Sequence, residues 1–433
     1  MKLNYRRTLL TGLAFMAIYS FWQTYDNVVP LILKNSFQMN EIITGVVMAA
    51  DNIIALFLLP IFGTMSDKVN TKWGKRKPFI VVGGFLTVIA IAFMPVGDNT
   101  RNLPLFMIAT GLVLLFMAFF RSPAVALMPD VTPRPLRSKG NAIINLTGTA
   151  GAIYALIMTG LVVGEGKTPD YTALFWSVII FMVICIVVLM FTVNENKWGE
   201  EAREIERQHP ELMAREEEQE EATGNKPGKL SKPKKKSLIF LLLSVAFWYM
   251  AYNAVTSTFS RYATEVWGLE NGGYADCLMV ATVAAICSYI PLGMLAGKIG
   301  RKKSILIGVV GLFLSFFYVG FFSGYHFMIN LGFVIVGISW AAINVNSFPM
   351  VVEIANDGDV GKYTGYYYMF SMAAQVLTPV LSGVFLQLIS YKTLFPYACI
   401  FSALAFVTML LVKHGDVKPV AGKSVLESFD IDD

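Results

Sequence analysis

Long apolar stretches separated by short polar breaks occupy most of the chain. Read in windows of about 20 residues, the length a helix needs to cross hydrocarbon, they predict spans at approximately 9–33, 40–65, 78–96, 104–129, 140–163 and 171–193. A second set follows at 237–260, 274–296, 303–323, 326–354, 361–389 and 393–412. Between the two sets of six, Asn194 to Lys236 is charged throughout: Glu200–Glu221 mixes both signs in a stretch read as helical, and Lys226–Lys236 is basic with Pro and Gly. A backbone in lipid must satisfy its own hydrogen bonds, so the expected class is an all-α membrane protein with two six-helix bundles. The expected division is 1–194 for the first bundle, 195–236 for a solvated cytoplasmic linker, 237–414 for the second bundle and 415–433 for a cytoplasmic tail.

The two halves also share a hairpin. Gly63-Thr-Met-Ser-Asp-Lys-Val-Asn-Thr-Lys-Trp-Gly-Lys-Arg-Lys-Pro-Phe79 joins the second and third apolar stretches, and Gly293-Met-Leu-Ala-Gly-Lys-Ile-Gly-Arg-Lys-Lys-Ser304 joins the eighth and ninth. A glycine, a tight polar turn and a cation cluster recur at equivalent places, which points to pseudo-symmetric duplicated bundles of the kind used by secondary carriers.

Composition narrows this further. Apolar residues are 55% of the chain and charged residues 15%, well below the quarter usual in soluble domains. The net charge of +5 reflects where the cations lie, so no nucleic-acid partner is expected. Arg6 and Arg7, the Lys68–Lys77 cluster, Arg134, Arg137, Lys139, Lys298 and Arg301–Lys303 fall on one set of loops, with Lys34, Arg101, Lys167, Arg261 and Lys392 on the other. The positive-inside rule then places both termini and the central linker in the cytoplasm of a multi-pass protein of the cell membrane. The first apolar run exceeds a signal peptide's core and leads into further spans, which argues against a cleaved leader. The four cysteines lie in apolar stretches without metal-ligand or redox spacing and read as small buried hydrophobes.

An ionisable group at membrane depth costs several kcal/mol, so each is a functional candidate. Asp26, Asp51, Arg121 and Glu353 stand out. Asp51, mid-way along the second span, is the preferred coupling residue, with Asp26 and Arg121 as partners. Desolvation favours a neutral carboxyl, which lets such a group take up a proton and release it when water enters. A fixed Asp51–Arg121 ion pair or a plain interhelical hydrogen bond is the bland reading, and a pair that breaks on protonation satisfies both. Tyr19, Trp22, Gln23 and Asp26 group on the first span, and Tyr249, Asn253 and Ser257 form a stripe on the seventh. Trp340, Asn344 and Asn346 on the tenth span, with Tyr367, Ser371 and Gln375 on the eleventh, complete a polar and aromatic inventory. It suits a hydroxylated ligand, because carboxylates and amides grip hydroxyls while aromatic faces cover a sugar ring. Any single Asn or Ser reads equally as an interhelical hydrogen bond. Asp67, Lys75, Arg76, Lys77, Asp130 and Glu353 lie at the cytoplasmic interface and read as gate charges or as plain topology charges.

Part of this pattern resembles a known family. Ser66-Asp-Lys with Lys72-Trp-Gly-Lys-Arg-Lys-Pro-Phe-Ile80, and seven residues from Asp67 to Gly74, is similar to the loop after the second helix of the sucrose–proton symporters. Those carriers belong to the major facilitator superfamily, close to the glycoside–pentoside–hexuronide cation symporters. Arg121-Ser-Pro-Ala-Val-Ala-Leu-Met-Pro-Asp130 and Lys139-Gly-Asn-Ala-Ile143 are similar to the same family's fourth and fifth helices. The resemblance implies the twelve-helix major facilitator fold and import of a glycoside or disaccharide with a proton or sodium ion. The chain also departs from it: Leu114 stands where the plant carriers have a coupling acid, Val125 stands where they place an arginine, and Asn52 follows Asp51 where melibiose-type carriers have further carboxylates.

The expected function is therefore proton-coupled sugar import by a monomer, with no cofactor beyond the coupling ion. Sodium stays open, since Asn52 and a fourth-helix oxygen would supply ligands. A drug exporter is the main rival within transport; such exporters carry a Gly-Pro-rich fifth helix, whereas Asn141–Gly151 has no proline. A lipid carrier or a non-transporting sensor of the same fold is a further alternative. An enzyme is not expected, because His209, His326 and His414 lie far apart and no nucleophile elbow or phosphate loop is present.

Overall fold

A computed structural model describes residues 3–164, 166, 168–208, 232–270, 272–354 and 360–415. Lys167, His209, the rest of the linker to 231 and the tail from 416 lie outside the described residues, as does the side chain of Glu353. Thirteen helices are described. They are α1 (Tyr5–Leu31, continued by a wider turn at Ile32–Ser36), α2 (Glu41–Lys68), α3 (Lys77–Asn99), α4 (Leu103–Val131), α5 (Arg137–Val162), α6 (Thr172–Thr192) and α7 (Glu195–Gln208). Then follow α8 (Lys232–Trp267), α9 (Tyr274–Ile299), α10 (Arg301–Gly320), α11 (Ile329–Ile354), α12 (Val360–Leu388) and α13 (Leu394–Leu410). Local chemistry starts several of them: the Asn4 side chain accepts from the Arg7 N–H, that of Asn102 accepts from the Leu105 N–H, and Pro78 and Pro104 occupy first turns where no N–H is needed.

Ten of these helices are long and apolar enough to cross a membrane, and α9, bent by 52° between Tyr289 and Pro291, adds an eleventh. α1 falls outside that set, its 27 residues carrying Gln23, Asp26 and Asn27. It tolerates them because α4, α5 and α6 surround it, so its polar groups meet protein in place of lipid.

The chain divides into two compact units, one of residues 1–40, 50–213 and 270–276, the other of 41–49, 214–269 and 277–433. Within the first, α1 packs on α5 and α6, and α3 on α4 and α6. Within the second, α8 packs on α12 and α13, and α10 on α11 and α13. The same pairing therefore recurs six spans later, as the repeated hairpin implied. Small residues permit it: a Cβ on Gly151 of α5 would strike the Met16 carbonyl of α1, and one on Gly337 of α11 would strike that of Ala281.

Two features differ from the expectation drawn from the sequence. The linker does not begin as a solvated tether: Glu195, Trp198, Gly199 and Ala202 of α7 are buried, and α7 packs on α4. The seventh span runs on to Trp267, so Arg261 is no outer-loop cation but a fully buried side chain within α8. A charge ends a span on a hydropathy reading, but a helix continues through it when a counter-charge is at hand.

Candidate functional site

The first unit places three charges of the predicted coupling set near one another. On α2, the exposed stripe of Ile53, Leu56, Phe57 and Ile61 marks the lipid-facing side. At 100° per residue Asp51 points roughly 150° away from it, into the protein. Asp51 Oδ1 accepts from the Asn52 backbone N–H at 2.6 Å and from Asn52 Nδ2 at 2.8 Å. Arg121 of α4 attracts Asp51 through space, and among the described residues it has no other charged partner. Asp26 of α1 feels the repulsion of Asp51 and receives no hydrogen bond among the described residues. The cluster thus holds two carboxylates against one guanidinium, one negative charge in excess.

Aromatic and polar groups of α1 adjoin this cluster. Trp22 lies edge-on to Tyr25 (5.4 Å, 84°) and to Phe21 (5.3 Å, 64°), and its buried Nε1 has no hydrogen-bond partner among the described residues. Tyr25 is fully buried, its hydroxyl also without a partner among the described residues and within electrostatic range of both Asp51 and Asp26. Tyr19 packs against Phe15, Met128 and Ile144, with Gly148 leaving room for its ring. It therefore serves packing. Gln23 is half-buried on the Asp26 face.

The second unit presents the other set. Trp340 is stacked on Tyr252 at 3.7 Å and 5°, with Tyr249 edge-on at 5.3 Å and 88°. Tyr249 hydrogen-bonds Tyr367, whose hydroxyl reaches Ser347 Oγ at 3.0 Å, and Tyr289 hydrogen-bonds Asn344. Asn253 Nδ2 and Asn346 Oδ1 are buried and have no partners among the described residues. Ser257 Oγ donates to the Asn253 carbonyl at 2.6 Å, and Ser371 Oγ to that of Tyr368, so both hydroxyls are spent on their own helices. Gln375 is half-buried on α12. Tyr25, Tyr252 and Tyr289 were not singled out from the sequence. The one available signal was spacing: Tyr252 follows Tyr249 by three residues and so lies close to its helical face.

The charges of the Gly63–Phe79 hairpin converge on Arg76. Its Nε donates to Asp130 Oδ2 at 2.8 Å, Nη2 pairs with Asp67, and Nη1 donates to Ser66 Oγ at 2.5 Å and to the Gly63 carbonyl at 3.3 Å. Lys75 and Lys77 act here through their backbones. Their N–H groups, with that of Arg76, donate to the Glu195 carboxylate at 2.7–3.0 Å, while Lys77 Nζ reaches the Val193 carbonyl. Glu195 was assigned to the linker by sequence, yet it caps the N-terminus of α3, where free N–H groups and the helix dipole favour an anion. Gly74 turns the chain beneath it at φ +111°, where a side chain would collide with Glu195. Glu195→Ala is expected to cost about 1–2 kcal/mol, read as a lower thermal midpoint of the detergent-solubilised protein. Glu195→Gln should recover part of that loss by keeping an acceptor oxygen.

Two bundles of matching helix pairing, each with buried polar groups, define a multi-pass membrane protein of duplicated six-helix halves. The chain belongs to the Major Facilitator Superfamily, whose profile matches residues 11–290 and 242–428. The sucrose transport protein SUC3 of Arabidopsis thaliana is 26% identical over 174 residues, 33% of this chain and 29% of that protein. The isoprimeverose transporter of Lactiplantibacillus pentosus is 21% identical over 284 residues, 63% of this chain and 55% of the other. Each alignment therefore spans only part of its relative. Among solved structures, the inward-open xylose transporter XylE from E. coli has a TM-score of 0.66 at 16% identity, covering 97% of this chain and 98% of that one. At that identity the likeness speaks for the fold.

Proposed function

We propose that the protein is a secondary carrier that moves a sugar of the glucoside or disaccharide class together with a proton, by alternating access. The observation that carries this reading is the charge imbalance of Asp26, Asp51 and Arg121. A buried cluster with one surplus negative charge is relieved by one bound cation, and a proton is the smallest that serves. The ligand class rests on chemistry of the same kind. Taken separately, each unit offers such chemistry: the first has the rings of Trp22 and Tyr25, the second those of Tyr249, Tyr252 and Trp340. Among the described residues, polar atoms of Trp22 and Tyr25 in the one and of Asn253 and Asn346 in the other have no partner, which suits a molecule having both a ring face and hydroxyls. Two relatives carry sugar names, which agrees with this choice. Sodium is the second reading, favoured by the two neighbouring carboxylates Asp26 and Asp51, since a metal cation needs several oxygen ligands.

The test is uptake by reconstituted vesicles. A panel of labelled glucosides and disaccharides is offered under an imposed pH gradient, an imposed Na⁺ gradient, or neither. Accumulation of at least one sugar under the pH gradient alone is expected. Accumulation that follows Na⁺ would transfer the coupling to sodium, and efflux of hydrophobic cations with no sugar uptake would replace the reading with an exporter.

A further inference from the structure

Three segments of the second unit bring their cations to one place. The opening of α8 holds four lysines between 232 and 236, the α9–α10 hairpin holds four cations between 298 and 303, and Lys413 follows the end of α13. No acid occurs within 232–240, 298–307 or 407–415. Hydrogen bonds tie the segments together. Ser237 Oγ of α8 accepts the Lys413 N–H at 3.1 Å and pairs with His414 Nδ1 at 2.9 Å. From α10, Lys302 Nζ donates to the carbonyls of Leu410 and Val412 at 3.2 and 2.5 Å, closing the C-terminus of α13, where the helix dipole favours a cation. Lys302 thus serves the fold. Beside these bonds, Lys235, Lys236, Lys303 and Lys413 are exposed.

Their places on the helices show what they adjoin. Lys235 stands one turn from exposed Ile239 on α8. Lys303 stands one turn from exposed Ile307, which heads a stripe continued by Val310, Leu314 and Phe317 on α10. On α13 the exposed stripe of Ile400, Leu404, Val407 and Leu411 runs toward Lys413. Lys236 Nζ lies 5.9 Å from the centre of the Phe240 ring, one turn further in. Exposed apolar stripes on spanning helices are the faces that meet acyl chains. A topological signal needs cations in a loop, but it does not need them at the head of such stripes on three joined segments.

We propose that this end of the second unit binds the headgroup of an anionic phospholipid. Lys235, Lys236, Lys303 and Lys413 receive the phosphate charge, and the acyl chains lie along the apolar stripes. The chemistry recognised is a phosphate anion, and the stripes commit the site to a lipid over free phosphate. The inference does not depend on what the protein carries.

The test is native mass spectrometry of the full-length protein in neutral detergent, supplied with dioleoylphosphatidylglycerol, dioleoylphosphatidylcholine or inorganic phosphate. The parent is expected to retain phosphatidylglycerol over phosphatidylcholine. Each cation beside an anionic lipid strengthens binding roughly fivefold, so Lys235→Gln with Lys236→Gln and Lys303→Gln should weaken phosphatidylglycerol binding about tenfold or more. An equal loss of exposed charge in the first unit, as Arg6→Gln with Lys68→Gln and Lys72→Gln, should change it less than about twofold. If the second-unit triple variant does not fold, Lys303→Gln alone decides, with a loss of roughly fivefold. Arginine at the three positions should keep the binding, as a role in charge requires. Equal retention of both lipids by the parent, or an equal loss in both triple variants, overturns the site. Binding of inorganic phosphate that displaces the lipid overturns the lipid and assigns the cations to a free anion.

Discussion

Asp51→Asn is expected to reduce sugar accumulation driven by a pH gradient to the level of protein-free vesicles, while sugar exchange down its own gradient continues. The argument is a charge count. With both acids ionised, Arg121 neutralises one of them, and the second is relieved only by a bound proton. Asparagine at 51 leaves Asp26 and Arg121 balanced, so the site cycles without collecting a proton. Asparagine is close in shape to aspartate, and the lost hydrogen bonds are those from the adjacent Asn52, so folding should be little affected. Gradient-driven uptake and counterflow measured on the same vesicles check both halves of the statement. Accumulation that survives in Asp51→Asn removes this residue from coupling. By the same charge count Asp26→Asn leaves Asp51 and Arg121 balanced and should also lose accumulation driven by a pH gradient, and it should in addition weaken binding. If Asp26 grips hydroxyls, the loss of a charge-assisted acceptor costs about 1.5–3 kcal/mol and appears as a sugar KM raised by roughly tenfold or more.

The second large effect is expected at Arg76. Its guanidinium is nearly buried at 8% exposure and serves Asp67, Asp130, Ser66 and the Gly63 carbonyl together. Arg76→Ala leaves two carboxylates facing one another across the space it filled. Removing one partner of a fully buried pair costs about 3–5 kcal/mol. Asp67 and Asp130 are 57% and 39% exposed, so water recovers part of that, and about 2–3 kcal/mol is expected. Thermal unfolding in detergent should show a midpoint lower by roughly 2–3 °C. Arg76→Lys should recover little of it, because one ammonium cannot present the planar fork that reaches Asp67, Asp130 and Ser66 at once. A lysine variant as stable as the parent would show that charge alone, without geometry, holds this junction.

How much was legible in advance varied with the physics of each residue. Asp51 and Arg121 were readable because a charge inside an apolar run has few tolerable explanations. The cation cluster at Lys75–Lys77 was readable as a group, but the division of labour was not. Arg76 acts through its side chain, whereas its two lysine neighbours mainly lend backbone N–H groups to Glu195. Glu195 itself gave no signal, since one acid among many in a charged linker carries no visible cost until a helix terminus lies beside it. Tyr252 was overlooked for a related reason. An aromatic residue in an apolar helix is ordinary, and only the ring plane of Trp340, 88 residues further on, distinguishes it.

By itself, the amino-acid order determined the number and approximate limits of the membrane helices, their grouping into two repeats and the location of the intramembrane charges. Hydrocarbon enforces these through one-dimensional rules: backbone groups must be satisfied within a segment, and charges within it must be few. Only the tertiary structure decided which charges meet. Glu41 finds Arg261 across 220 positions of sequence, Glu195 closes the end of α3, and Asp26 comes within range of Asp51, because such pairings depend on how distant helices cross and on which faces they turn toward one another.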